Sequence, residues 1–434
     1  MRKILICLLL IVFTFGCVSC NLKNDDGGQI GYPPESPIPS EPTDPESDLD
    51  ETDATPESTD PDRLHDEHGE MRGVWISYLD YELLLANKSQ QEASQAVTEA
   101  FTKAKDMGLN TVFLHVRPFA DAIYSSEFFP WSHILKGEQS MAPGYDPFAM
   151  MVEIGHSMGL DIHAWINPYR VQLPGRPDML SDDNQARIWL DGGGEEVIEI
   201  SEGIFLNPAN ENARELVLNG VREIVENYDV DGIHFDDYFY PTTDPSFDAA
   251  SYAAYLENGG ELELADWRLE NVNILVRDTY SLIKEIDQNV VFGISPQGNM
   301  RNNYETQYAD VNRWCSEEGY IDYIMPQVYF GYNHDLCPYT DTILAWNDII
   351  KIPSVKLYVG ISPYKIGVAD EWAGVGADEW VENSDVLMRQ VIDARTLSHY
   401  GGFVLYRFDS LFNPEDHVSE SVAREIENLV TVLG

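Results

Sequence analysis

Residues 230–241 read Val-Asp-Gly-Ile-His-Phe-Asp-Asp-Tyr-Phe-Tyr-Pro, an apolar run that carries acid, imidazole and phenol together. In a strand, side chains alternate between faces. Ile233 and Phe235 then point one way, and His234, Asp236 and Tyr238 the other. Carboxyls are rarely buried without a partner or a task. In apolar surroundings a carboxyl keeps its proton closer to neutrality, which is what a general acid requires. With aromatic neighbours to stack on a ring, the chemistry expected at Asp236 is cleavage of a sugar–sugar bond. Strict alternation turns Asp237 to the opposite side, and only a bend in the chain brings it back.

The elements that must position these groups follow from periodicity. From residue 71 onward, short β-rich runs alternate with helical patterns. The strands are expected at 72–77, 111–116, 161–167, 232–239, 290–295, 321–329, 356–362 and 402–409. Helical stretches such as 93–107 and 213–227 separate them, the latter with Asn210 or Asn212 as its cap. Eight such units predict an α/β protein with a (β/α)8 TIM barrel over residues 70–434. An open doubly wound sheet is the alternative. It usually has a glycine-rich phosphate loop after its first strand, where this chain has Trp75-Ile76-Ser77-Tyr78. Long loops are expected after strand two (119–145) and strand three (171–206). The second contains Asp191-Gly192-Gly193-Gly194 between two apolar runs and reads as a β-hairpin.

A barrel assembles its site from the C-terminal ends of its strands. Those ends supply Tyr78 and Asp80, then His115 and Arg117, then Trp165, Asn167, Tyr169 and Arg170. Strand four supplies His234, Asp236, Asp237 and Tyr238. Later strands supply Ser295, Gln297, Asn299, Gln327, Tyr329, Ser362, Tyr364, Arg407 and Asp409. Convergence of polar and aromatic residues from so many separate segments is hard to produce by chance and fits an active site at the barrel mouth. The catalytic candidates are Asp236, Asp237 and Asp409. The substrate-binding candidates are His115, Arg117, Trp165, Asn167, Tyr169, His234, Tyr238, Gln297, Gln327, Tyr329 and Arg407. No cysteine–histidine spacing points to a metal, and no cofactor is expected.

Several motifs resemble the glycosyl hydrolase-like 10 family of bacterial, often lipoprotein, enzymes. They are Glu70-Met71-Arg72-Gly73-Val74-Trp75, His115-Val116-Arg117-Pro118, His163-Ala164-Trp165-Ile166-Asn167-Pro168-Tyr169 and Asp231 through Tyr238. Gly293-Ile294-Ser295-Pro296 and Met325-Pro326-Gln327-Val328-Tyr329 complete the set. The resemblance covers nearly the whole globular part and implies a TIM barrel that cleaves glycans. A family member acts on cell-wall glycan strands stripped of peptide, which makes peptidoglycan with its N-acetylated amino sugars the expected substrate. A plant or host polysaccharide, or glycan binding without catalysis, are the alternatives.

Glycoside hydrolysis usually takes two carboxyls. Strand seven ends Ile361-Ser362-Pro363-Tyr364 without one, and strand five offers Gln297. Two schemes remain open. In one, Asp236 and Asp237 both enter the site. One is the acid, and the other orients a 2-acetamido group that serves as internal nucleophile. In the other, Asp236 works with Asp409 or Asp80 across the mouth.

The rest of the chain says where such an enzyme would work. Of 434 residues, 44% are hydrophobic and 11% aromatic, enough for a large core. The formal charge of −47 argues against a nucleic-acid partner. Arg2 and Lys3 followed by the apolar run 4–15 read as an export signal over residues 1–20. Gly16-Cys17 and Ser19-Cys20 resemble a bacterial lipoprotein site, with Cys20 or Cys17 lipidated; a plain cleaved signal is the alternative. Residues 21–69, rich in proline and acid, read as a disordered linker. The expectation is an exported monomer, held to the outer face of the cell envelope by a lipid anchor. Cys315 and Cys337 are open to pairing or to remaining thiols.

Overall fold

The computed structural model describes residues 69–433. The expected signal, its two lipidation candidates and all of the linker except Gly69 lie outside the described residues.

Eight parallel strands close into one barrel. They are β1 (Met71–Ile76), β2 (Thr111–Arg117), β3 (Asp161–Ile166), β4 (Gly232–Phe235), β5 (Val291–Ile294), β6 (Tyr323–Ile324), β7 (Lys356–Ile361) and β8 (Tyr400–Leu405). Each pairs with its neighbours in chain order, and β8 closes on β1 with Met71 opposite Gly402. The fold is the expected (β/α)8 barrel.

Helices surround the sheet because their apolar residues recur on one face. In Gln90–Asp106 the buried positions are Ala93, Val97, Ala100, Phe101 and Ala104, a spacing that follows the helical period. Ser89 and Glu92 form a capping box at its start. Asn210 caps Glu211–Asn227 by accepting from the backbone of Asn212 and Ala213.

Several expected boundaries differ. β4 stops at Phe235 and β6 spans only two residues, because both chains leave the ladder as they reach the mouth. The expected hairpin through Gly192 is instead a helix, Gln185–Gly192, closed by Gly193 at φ +69°. The hairpin lies just after it, pairing Val197–Ile200 with Gly203–Leu206. Cys315 and Cys337 are free thiols.

The barrel interior is aromatic. Met71, Trp75, Phe113, Trp165, Val291, Tyr323, Met325, Tyr358 and Val404 pack inside the sheet. Small residues make room for these rings. A Cβ on Gly232 would lie 2.4 Å from the His163 ring, and one on Gly293 would lie 2.2 Å from the Tyr323 ring. Between the rings runs a polar chain. The Tyr323 hydroxyl lies 3.2 Å from His163 Nδ1 and 3.1 Å from His234 Nδ1. His234 Nε2 faces Ser295 Oγ at 2.9 Å and accepts from Trp75 Nε1 at 3.4 Å. An indole only donates, so the His234 proton belongs on Nδ1. Burial lowers the His234 pKa to about 3, which keeps the ring neutral.

Candidate active site

The mouth is built where β3 and β4 release the chain. Asn167 follows β3 and makes two bonds that fix its amide. Its Oδ1 accepts from the backbone N–H of Arg170 at 2.9 Å, and its Nδ2 donates to Asp236 at 3.3 Å. Trp165, on β3, donates Nε1–H to the same Asp236 oxygen at 3.0 Å. The second oxygen, Oδ1, is buried and has no hydrogen-bond partner among the described residues. Asp236 is only 2% exposed. Burial is the main reason its pKa rises from 3.8 to about 7, with the neighbouring Asp237 charge adding to it. Arg170, Trp165 and the Tyr238 backbone hold it from going higher. The result is a carboxyl half protonated near neutral pH.

Asp237 does not follow the alternation expected of a strand. The ladder ends at Phe235, and the N–H of Phe239 bonds back to the Asp237 carbonyl at 3.1 Å. This turn sends the Asp237 carboxyl toward the ends of β5 and β6. There Gln327 Nε2 donates to it at 2.9 Å while also donating to the Ser295 carbonyl at 2.9 Å. Burial raises the Asp237 pKa, opposed by bonds from Gln327 and Gln297. Both carboxyls feel the charge of Arg170, so the bend brings them into one electrostatic site.

Asp409 and Asp80 lie across the mouth and share one cation. Arg407 bonds to Asp80 and lies 3.3 Å from Asp409. Asp80 also accepts from Ser77 N–H at 2.7 Å and Ser77 Oγ at 2.9 Å. Burial raises the Asp80 pKa, and the Arg407 charge opposes it. Arg407 is therefore committed to carboxylates of its own chain.

The binding candidates divide by where their side chains go. Trp165 and Asn167 meet the Asp236 carboxyl, and Gln297 and Gln327 meet that of Asp237. His115 stacks on Trp165, with ring centroids 3.6 Å apart and planes 10° from parallel. Neither of its ring nitrogens has a hydrogen-bond partner among the described residues, and burial pushes its pKa well below the usual histidine value. Tyr329 stacks on Tyr406 at 5.7 Å, and Tyr364 meets both edge-on. Tyr238 is 44% exposed at the rim.

Three candidates are corrected. A register shift after His115 turns Arg117 out of the mouth. Its guanidinium lies 4.3 Å from the Phe129 ring and beside Gly220 of the helix Glu211–Asn227. Tyr169 is fully buried and packs its ring against Phe239. His234 is buried in the layer below, with both ring nitrogens engaged. All three support the barrel and none reaches the mouth.

Two residues outside the candidate set complete the site. Arg170, a strand-end residue with no role assigned from sequence, lies over three rings: Phe119 at 4.8 Å, Tyr238 at 5.3 Å and Tyr78 at 5.7 Å. Its Nε is held by the Pro118 carbonyl at 2.8 Å. Tyr406 lies between Trp75 and Tyr329. The signal for Arg170 was an arginine just past an Asn-Pro turn in a strongly acidic chain.

The arrangement is a proton-holding acid beside a second carboxyl, among aromatic rings, which suits acid-assisted cleavage of a glycosidic bond. Comparison with known proteins agrees. The family described as glycosyl hydrolase-like 10 matches residues 70–375. The glycosyl hydrolase DigH of Escherichia coli (strain K12) is 31% identical over 383 residues, covering 80% of this chain and 84% of DigH. The glycosyl hydrolase YngK of Bacillus subtilis (strain 168) is 36% identical over 318 residues, covering 68% of this chain. The matched part spans 61% of YngK. In fold, the chain is similar to the glycoside hydrolase domain of PgaB (BpsB) from Bordetella bronchiseptica. The TM-score is 0.55 at 12% identity, over 83% of this chain and 99% of that domain. The catalytic domain of a beta-amylase from Paenibacillus polymyxa gives the same TM-score over 85% of this chain and 99% of that domain, also at 12% identity. The chain belongs to the glycosyl hydrolase-like 10 family and is a glycoside hydrolase on a (β/α)8 barrel.

Proposed function

We propose that this enzyme hydrolyses the glycan strands of bacterial peptidoglycan, with Asp236 as general acid and Asp237 as the group that orients the substrate's 2-acetamido arm. The observation that carries the assignment is the Asp236 carboxyl itself. One oxygen is held by Trp165 and Asn167, while the other is buried without a partner, and the pKa is near 7. An unbonded oxygen on a protonated acid is the place for a leaving-group oxygen.

In this scheme Asp236 delivers its proton to the glycosidic oxygen as the C1–O bond breaks. The acetamido carbonyl oxygen attacks C1 from the other face and forms a cyclic oxazolinium. Asp237 accepts the amide N–H and stabilises the positive charge. Water then opens the ring, giving its proton to the Asp236 carboxylate. Such substrate assistance replaces the second nucleophilic carboxyl of ordinary glycosidases. The pairing of both Asp80 and Asp409 with Arg407 favours this scheme over one that uses a carboxyl across the mouth. Both sugars of peptidoglycan carry the required acetamido group. The lipoprotein-like start and acidic linker in the sequence support action at the outer face of the envelope, as a lipid-anchored monomer.

The test is product release by the full chain from peptide-free glycan strands, intact peptidoglycan and neutral polysaccharides lacking an acetamido group. Cleavage of the first alone is expected. Asp236→Asn should lose at least about 100-fold in rate on strands, yet keep much of its rate on an aryl glycoside whose leaving group needs no proton. Asp237→Asn should lose rate on both. Equal turnover of polysaccharides without acetamido groups refutes the scheme.

A further inference from the structure

The chain carries 74 acidic residues against 27 lysines and arginines, so an acidic polymer should be repelled from most of its surface. One part of the mouth is different. Arg170 and Arg176 both lie against the ring of Tyr78, their guanidinium carbons 5.7 and 5.3 Å from its centroid. Among the described residues neither arginine is in an ion pair, whereas Arg407 across the mouth is held by two carboxylates. Arg170 is pre-set: Pro118 takes its Nε–H, Asn167 takes its backbone N–H, and its guanidinium lies against the Phe119 and Tyr238 rings. Among the described residues its two terminal nitrogens make no hydrogen bond. Arg176 is exposed at the rim, in the loop after β3. A planar guanidinium with free terminal N–H groups matches a carboxylate in bidentate geometry.

We propose that Arg170 and Arg176 form a carboxylate-binding subsite beside Tyr78, which receives an acidic sugar unit of the glycan next to the bond cleaved at Asp236. The proposal rests on the glycan-hydrolase reading of that site and names the substrate's charge. Asn167 ties the two functions together, because one side chain bonds both the Arg170 backbone and the Asp236 carboxyl. A sugar drawn in by its carboxylate is thereby placed against the acid. The carboxylate has two possible sources, the lactyl group of N-acetylmuramic acid and the ring carboxylate of a uronic acid.

The experiment measures binding and cleavage separately. Binding uses the full chain carrying Asp236→Asn and three probes. These are peptide-free glycan oligosaccharides with free lactyl carboxylates, the same oligosaccharides with each carboxylate converted to a methylamide, and an oligouronate. Binding of the lactyl acid at least tenfold tighter than of its methylamide is expected, with the gap narrowing as salt rises. Arg176→Gln should shrink the gap at least threefold, and Arg176→Glu should abolish it. Arg170→Lys keeps the charge but not the fork and should lose part of it. Thermal melting checks that each variant is folded, and exposed Arg176 is the safe position for that control. A gap below twofold, or one untouched by both Arg176 variants, overturns the subsite. Tighter binding of the oligouronate than of the lactyl acid assigns the carboxylate to a uronic acid.

Cleavage is scored on the chain without Asp236→Asn. If it hydrolyses acid and methylamide strands equally, the subsite falls and the hydrolase reading stands. If the arginine-dependent gap appears but no strand is cut, the subsite stands and the peptidoglycan-hydrolase reading falls.

Discussion

Asp236→Asn should do more than stop catalysis: it should stabilise the fold, by an amount that depends on pH. The Asp236 pKa is raised from 3.8 to about 7 in the folded chain, mainly by burial. Below about pH 4 both folded and unfolded states hold the proton, and the group contributes nothing. Between about pH 4 and 7 the unfolded chain releases the proton and the folded chain keeps it. The folded state then binds more protons, so stability falls as pH rises. Above about pH 7 both states are ionised and the full cost is present. At about 1.4 kcal/mol per pKa unit the upper bound is roughly 4 kcal/mol. Relaxation around the buried charge makes roughly half of that a reasonable expectation. Asparagine fits the site. Its carbonyl can take the bonds from Trp165 and Asn167, and its NH2 falls where Oδ1 has no partner. Other buried acids with raised pKa values, such as Asp80 and Glu223, are common to both proteins and cancel in the difference. Urea unfolding of wild type and variant from pH 4.5 to 8.5 reads the effect directly. The expected result is a variant that gains about 2 kcal/mol or more over wild type between these limits. A stability difference that is flat with pH refutes the account of a buried, proton-holding acid.

Two further predictions concern the frame. Glu70 bonds Arg72, Arg395 and Tyr400, and these contacts overcome burial to lower its pKa to about 2. Its stabilisation is present above about pH 5 and is lost as pH falls toward 2. Glu70→Gln should therefore cost roughly 1–2 kcal/mol at pH 7 and almost nothing near pH 2, as read by unfolding across that range. Tyr323→Phe removes the hydroxyl between His163 and His234 and leaves buried imidazole nitrogens without that partner. A loss of about 2–4 kcal/mol is expected on denaturation, while the His234 proton, set by the Trp75 indole, stays on Nδ1 in an NMR tautomer measurement.

The fold was legible because barrel strands and their helices write their periods plainly into the sequence, as in Ala93, Val97, Ala100 and Ala104 on one helical face. The structure does bring strand-end residues together, Trp165 and Asn167 on Asp236 and Gln327 on Asp237. What alternation could not supply was the behaviour of the chain after the ladder stops. Asp237 enters the site because hydrogen bonding to β3 and β5 ends at Phe235, and a turn then replaces the pleat. Arg117 leaves it for the mirror reason: an irregularity between His115 and Arg117 shifts the register by one. A single-residue slip exchanges inside for outside, and no composition signal marks where it falls. Tyr169 and His234 were misplaced by a different ambiguity. Buried aromatic and imidazole groups that fill a barrel look the same in sequence as those that line its mouth.

Glu70 has a mechanical consequence. It stands just before β1, at the end of the barrel away from Asp236 and Asp237, where it grips Arg395 and, at the start of the last strand, Tyr400. A pull transmitted through the chain before Gly69 would load this clamp and the β1–β8 seam first. The strand ends that carry Asp236 lie at the opposite pole. A force applied at Gly69 would therefore act on the seam before it acted on the residues around Asp236.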